Sequence, residues 1–333
     1  MSPKTKTWLK RGLALVLFSA LVYFFWPLLG EIKAAAELFR TADWIWLPIA
    51  VLVQLISYVS LTWLNMLALK PFPGKIGFST LAALLTSMAF IEIAVPSAGA
   101  SGVALRVHLL GKFGYKSEEA IFSLGIETVT EVIAVISIAM IGLVYLLQAK
   151  QLALSQLVWL SLAGIIIFGS LWLAWTLIRS RDRSRALLVW LVNTWNRFLG
   201  RFRRQDLSQL EERLDAFHNH VSKYKEIPVW KFFLAAYGKV VLDIATLGAG
   251  FYLFRYLISP GTLLTGYSLM LVVNGAAVLP GGLGMTDAYV PVIFSWMAVP
   301  GAVSLAAGLT FRLITYWLMR FIGFISWQVL ERR

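Results

Sequence analysis

Six stretches of this chain stay largely apolar for longer than a soluble helix has use for. They are Gly12–Leu29, Trp44–Leu69, Glu118–Leu147, Leu152–Ile178, Lys231–Leu257 and Ala302–Leu330. Each reaches the roughly 18 residues that carry a helix across hydrocarbon. Lipid offers no partner for a free backbone N–H or C=O, so such runs fold as membrane helices that satisfy themselves. The rest of the chain agrees: across 333 residues, 59% hydrophobic side chains and 14 Trp are set against only 14% charged ones. The expected fold is all-α, a polytopic membrane protein with about six full spans. Lys4, Lys6, Lys10 and Arg11 precede an apolar core too long for a signal peptide and without a small-residue cleavage site. Gly12–Leu29 therefore reads as a retained first helix.

Two further apolar stretches, Phe78–Gly114 and Thr262–Met297, are interrupted near their middles. The first contains "VPSAGASG" (Val95–Gly102), the second "AVLPGGLGMTDAYVP" (Ala277–Pro291). At about 1.5 Å per residue against roughly 30 Å of hydrocarbon, neither half of either stretch crosses alone. Each is a re-entrant hairpin or two short crossings, and the hairpin suits the lengths better. Basic flanks set the direction. Lys4 to Arg11 put the N-terminus in the cytoplasm, the loop Glu31–Asp43 lies outside, and Lys70, Lys75, Lys112 and Lys116 lie inside. "RSRDRSR" (Arg179–Arg185) and the terminal "ERR" are again cytoplasmic. Both termini are then inside, the first hairpin opens inward and the second outward. Span, broken pair, span, repeated upside down, is the usual plan of alternating-access transporters.

The chain divides accordingly into a first span and outer loop (1–43), a first membrane half (44–178, hairpin 78–114), an insert (179–230) and a second half (231–333, hairpin 262–297). The insert begins with "RALLVWLVNTWNRFLGRF", whose leucines and aromatics recur at helical spacing among arginines. This reads as an amphipathic helix on anionic lipid, followed by a shorter, more polar helix. The formal charge of +13 belongs to such flanks and to lipid head groups, not to nucleic acid. There are no cysteines, which removes thiolate chemistry. His218 and His220, two residues apart, do not share a helix face and read as solvated; no metal site and no cofactor are expected.

Irregular backbone at membrane depth must be buried in protein or line a wet cavity. In both halves a proline precedes a G-x-x-G spacing: Gly99 and Gly102 in the first, Gly281 and Gly284 in the second, with Gly282 between. Such breaks free N–H groups and create helix ends suited to an anion such as phosphate, although small residues also serve plain helix packing. Ionisable residues inside the apolar stretches cost several kcal/mol unless paired or hydrated. Glu92 and Arg106 flank the first break, Asp287 follows the second, and Arg312 lies within the last span. Glu127 and Glu131 stand one turn apart and call for a cation, with Arg106 and Arg312 as candidates. Lys239 and Asp243, also one turn apart, are expected to pair. Arg106 and Arg312, which cannot shed their charge, become the candidate phosphate ligands. Glu92, Glu127, Glu131, Asp287, Lys239 and Asp243 become the charge-balancing or proton-carrying set. Arg255, near a span end, is expected to snorkel to the interface.

"LPGGLGMTDAYV" followed by "AVSLAAGLTFRLITYWL" resembles the closing signature of the lysylphosphatidylglycerol synthase transmembrane region family. "VPSAGASGVALRVHLLGKFGYKSEEA" with "GIETVTEV" is similar to its first-half block. Asp287 stands where a glutamate is commoner in the family. The resemblance implies a lipid flippase domain, found fused to an aminoacyl-lipid synthase or standing alone. Only "ERR" follows Leu330, so the stand-alone module is expected. The leading expectation is a flippase or transporter of an anionic lipid across the bacterial inner membrane, beside a lipid-modifying or glycosyl-transfer enzyme. No G-x-x-x-x-G-K-[ST] is present, so ATP is not its direct drive. The alternatives are a membrane enzyme on lipid-linked substrates, with His108 as base, and a scaffold acting through the insert.

Overall fold

The computed structural model describes residues 28–95, 100–148, 169, 176, 180–199, 207–276 and 285–332. The expected spans Gly12–Leu29 and Leu152–Ile178 lie almost wholly outside them, as do Gly99, Gly281, Gly282 and Gly284. Every regular element among the described residues is helical: α1 (Leu28–Leu38), α2 (Trp46–Leu69), α3 (Phe78–Ala94), α4 (Ala100–Lys112), α5 (Ser117–Gln148), α6 (Arg181–Leu199), α7 (Leu207–Ser222), α8 (Val229–Leu253), α9 (Pro260–Ala276), α10 (Met285–Ser295), α11 (Gly301–Arg312) and α12 (Met319–Glu331). Four segments are long and apolar enough to cross a membrane: Trp46–Leu69, Ser117–Tyr145, Val229–Leu253 and the continuous Gly301–Glu331. The protein is an all-α, multi-pass membrane protein.

Three prolines stand where a missing N–H does no harm, whereas Pro291 lies inside α10. Pro260 is the first residue of α9, while Pro228 and Pro300 immediately precede α8 and α11. The segment Glu31–Asp43, expected as a loop, is helical through Leu38 and ends in a 3₁₀ turn at Phe39–Thr41. Its "KAAAEL" is good helix-forming sequence, and α1 packs against α11.

The long helices are arranged inside out relative to a soluble protein. On α2, Leu52, Ile56 and Val59 are exposed, whereas Gln54, Ser57 and Asn65 are buried. Polar groups can find partners only on the protein side, and apolar ones lose nothing by facing lipid. Packing then follows a simple plan. α8 runs along α2, α12 along α3, and α9 along α5; α3 also packs on α4, and α10 on α11. Close approach depends on glycine at one contact in particular. A Cβ on Gly323 of α12 would overlap the carbonyl oxygen of Thr86 on α3. Beside it, Thr86 Oγ1 donates to Ser326 Oγ at 3.2 Å, and Phe90 meets Phe324 edge-on.

α6 and α7 form a hairpin bridged by the ion pairs Arg181–Asp215 and Arg185–Glu211. His218 and His220, expected in solvent, are instead half-buried, with the His220 ring against Phe72 and Phe122. The apolar body of an imidazole can pack on aromatic rings, so the helix presents His220 to the aromatic end of the bundle. Tyr224 joins the same cluster and donates its hydroxyl proton to the Ala68 carbonyl. Burial pushes its pKa up, against the opposing charge of Arg106.

Gly323→Leu should force α12 off α3, at a cost of about 1–3 kcal/mol typical of overpacking. Unfolding in detergent, followed by intrinsic fluorescence, should show it, and Gly111→Ala, which meets open space, should leave the transition unmoved.

Candidate functional site

Glu127 and Glu131 of α5 each have a cation of their own. Arg106, on α4, is 0% exposed. Its Nη1 donates to Glu127 Oε2 at 3.0 Å and to Asn65 Oδ1 at 2.8 Å, and its Nη2 donates to Ser123 Oγ at 2.9 Å. The Nε–H finds no acceptor among the described residues. α2, α4 and α5 therefore converge on one guanidinium, and its charge is met by Glu127, which is 9% exposed. Asn65 and Ser123 add acceptors beside Glu127, which offsets part of the cost of burying the pair.

Glu131, one turn along α5, pairs with Lys239 of α8. Lys239 also reaches Asp243 on its own helix at 3.2 Å. The expected Lys239–Asp243 pair thus exists within a larger cluster. Asp243 accepts from Ser57 Oγ at 2.5 Å, Tyr267 OH at 3.1 Å and Gln54 Nε2 at 3.2 Å. Elements α2, α5, α8 and α9 meet there. One ammonium faces two carboxylates, so the hydroxyl and amide donors complete the solvation of Asp243 that water would otherwise supply. Ser137 and Tyr237 add a hydroxyl pair at 2.5 Å between α5 and α8.

A third charged group lies on the last span. Arg312 ends α11 and is 6% exposed. The next six residues, Leu313–Leu318, form a wide π-helical turn before α12, a feature that recurs at functional sites. The Tyr316 ring within that turn lies 4.9 Å from the Arg312 guanidinium carbon and 3.4 Å from that of Arg320. Arg320 also donates through Nη1 to the Tyr316 carbonyl at 3.2 Å. Aromatic faces attract guanidinium groups in this way.

An open groove of about 930 Å³ lies where α3, α4 and α5 meet. Glu92 lines it from α3, Ala100, Val103, Ala104, Val107 and His108 from α4, and Ile121 from α5. Gly102 is what lets Glu92 in: a Cβ there would overlap its carboxylate. Asp287 stands in the first turn of α10. Arg255 follows α8 at an exposed, left-handed position with φ 56°.

The structure therefore brings Arg106 to Glu127 and Lys239 to both Glu131 and Asp243, whereas Arg312 belongs to a separate cluster with Tyr316 and Arg320. Sequence reasoning missed Arg320, Tyr316, Asn65, Ser123, Gln54, Ser57 and Tyr267. A signal for some was present. Gln54 and Asn65 are amides inside a charge-free apolar run, and Arg320 follows Arg312 by eight residues within one span.

Arg106→Met should cost about 3–5 kcal/mol, because Glu127 stays buried without its cation. Adding Glu127→Leu should recover most of that loss. A double-mutant cycle on unfolding in detergent checks this; equal costs for the single and double variants would deny the pairing a structural role.

Residues 12–323 match the family described as the lysylphosphatidylglycerol synthase TM region. The chain is 26% identical over 324 residues to a UPF0104 membrane protein of Methanothermobacter thermautotrophicus, covering 93% of this chain and 91% of the relative. It is 24% identical over 295 residues to a second UPF0104 membrane protein, from Methanocaldococcus jannaschii, covering 85% and 84%. With nearly its whole length matched, the chain belongs to the lysylphosphatidylglycerol synthase transmembrane region family.

Proposed function

We propose that this protein moves an anionic, phosphate-bearing lipid across the inner membrane without ATP, by rocking two inverted halves against each other. The observation that carries the reading is the reciprocity of packing. Let α2, the broken pair α3–α4 and the span α5 be one half, and α8, the broken pair α9–α10 and the span α11–α12 the other. α2 packs on α8; the broken pair of the second half packs on the span of the first through α9 and α5; the broken pair of the first packs on the span of the second through α3 and α12. Exchanging the halves maps these contacts onto themselves, as an inverted repeat requires.

The broken pairs suit re-entrant hairpins. α3 and α9 have 17 residues each, α4 has 13 and α10 has 11. At about 1.5 Å per residue none of them spans roughly 30 Å upright. Six full spans then follow if Gly12–Leu29 and Leu152–Ile178 also cross. The Glu131–Lys239 pair and the Ser57 and Gln54 bonds to Asp243 join one half to the other. Such seams can part and reform between inward- and outward-facing states, while Arg106–Glu127 stays within the first half. The cluster of Arg312 with Tyr316 and Arg320 supplies the positive charge that attracts the phosphate, and the groove at Glu92 is the entry from one leaflet. The name of the family, which attaches this region to a lipid synthase, supports a lipid as the cargo. In this reading both termini and the insert 179–230 face the cytoplasm, where the arginines of α6 meet anionic head groups.

Purified protein in liposomes with fluorescent phosphatidylglycerol tests the reading. Added dithionite should bleach more than the outer leaflet alone, in the absence of nucleotide, and Lys239→Met should slow the bleaching. A plateau at the protein-free level would remove transport from consideration.

A further inference from the structure

Membrane-embedded cations in this protein are answered one by one. Arg106 has Glu127, and Lys239 has Glu131 and Asp243. Arg320 differs. It is half-buried and forms no ion pair with a carboxylate among the described residues. Among the same residues its Nε–H is buried without an acceptor, and its Nη1 reaches only the Tyr316 carbonyl one turn back. It lies eleven residues before Glu331, about 16 Å along the helix and so below the head-group level of a span that ends there. Beside it the Tyr316 hydroxyl is buried without a partner among the described residues, on a residue only 8% exposed. Two unsatisfied donors and an unanswered charge in one place are costly in hydrocarbon. An anion with several oxygens satisfies all three.

We infer that Arg320 and Tyr316, on the wide turn of the last span, form the binding site for the phosphate ester of the cargo. This deepens the proposed transport function and rests on it for the lipid, though not for the anion. A phosphate oxygen accepts from Arg320 Nε–H and a second from the Tyr316 hydroxyl, while stacking on the Tyr316 ring keeps the guanidinium in place. Arg312, 4.9 Å from the same ring, adds positive potential. Glu92 is near enough to act on Arg320 electrostatically but forms no ion pair with it, which leaves the guanidinium able to take an anion. Because Glu92 also lines the open groove, the same carboxylate links the entrance to the guanidinium. Tyr58 of α2 lies within range of the charges of Arg320, Asp243, Lys239 and Glu92, which sets the site beside the seam between the halves.

The test uses full-length protein in detergent and three probes: phosphatidylglycerol, inorganic phosphate and uncharged diacylglycerol. The unfolding temperature of the wild type should rise with phosphatidylglycerol and not with diacylglycerol. Arg320→Gln should lose that rise, Tyr316→Phe should reduce it, and Arg320→Lys should keep part of it. A rise with inorganic phosphate equal to that with the lipid supports the site and assigns it to a free anion. An undiminished rise in Arg320→Gln overturns the proposal. If that variant does not fold, an undiminished rise in Tyr316→Phe does so instead. Loss of the rise in Arg320→Gln, with no lipid movement by the wild type in liposomes, leaves the site standing and removes the transport reading. Lipid movement with an unchanged rise does the reverse.

Discussion

A formal charge placed in hydrocarbon must be answered, because neither water nor a flexible solvent dipole is there to answer it. That requirement organises this molecule more than any single apolar contact does. The interior of an ordinary globular protein is held by the exclusion of oily side chains from water. Here the oily side chains already have lipid, and what draws the helices together is packing and the need of buried polar atoms for one another. α2 shows it plainly: its buried residues include Gln54, Ser57, Thr62 and Asn65, each with a hydrogen-bond partner.

From this constraint the two clusters on α5 acquire different meanings. Arg106 with Glu127, Asn65 and Ser123 ties together elements that are neighbours in sequence order, α2, α4 and α5. It behaves as a rivet within a unit. Lys239 with Glu131 and Asp243 draws instead on residues more than a hundred positions apart in the chain. In the proposed transport cycle the first would stay closed and the second would open, so a single turn of helix, from Glu127 to Glu131, would divide a static bond from a moving one.

The membrane character, the apolar boundaries and the four described spans were legible in the sequence to within a few residues, because twenty-odd apolar residues leave the chain few choices. The end of α3 at Val95 was legible too, from Pro96 directly after it. Partner assignment was harder. The helical period places Glu127 and Glu131 on one face but says nothing of which helix lies opposite, so Lys239 was read as serving Asp243 alone. His220 of α7 was misread because its neighbours, Phe72 and Phe122, come from distant segments. Arg320 escaped notice because its span also carries Arg312, and periodicity cannot tell which of two arginines is satisfied.

The wide turn at Leu313–Leu318 has a consequence for how the last span is used. Accommodating one residue more than an α-turn does rotates everything beyond it by about 100° relative to an unbroken helix. The upper part of the rod can then seat Gly308 against Val290 of α10 while the lower part seats Gly323 against Thr86 of α3. One helix thereby serves two differently oriented walls. The turn offsets the rotation of the two parts, so that each wall is met by a glycine of its own.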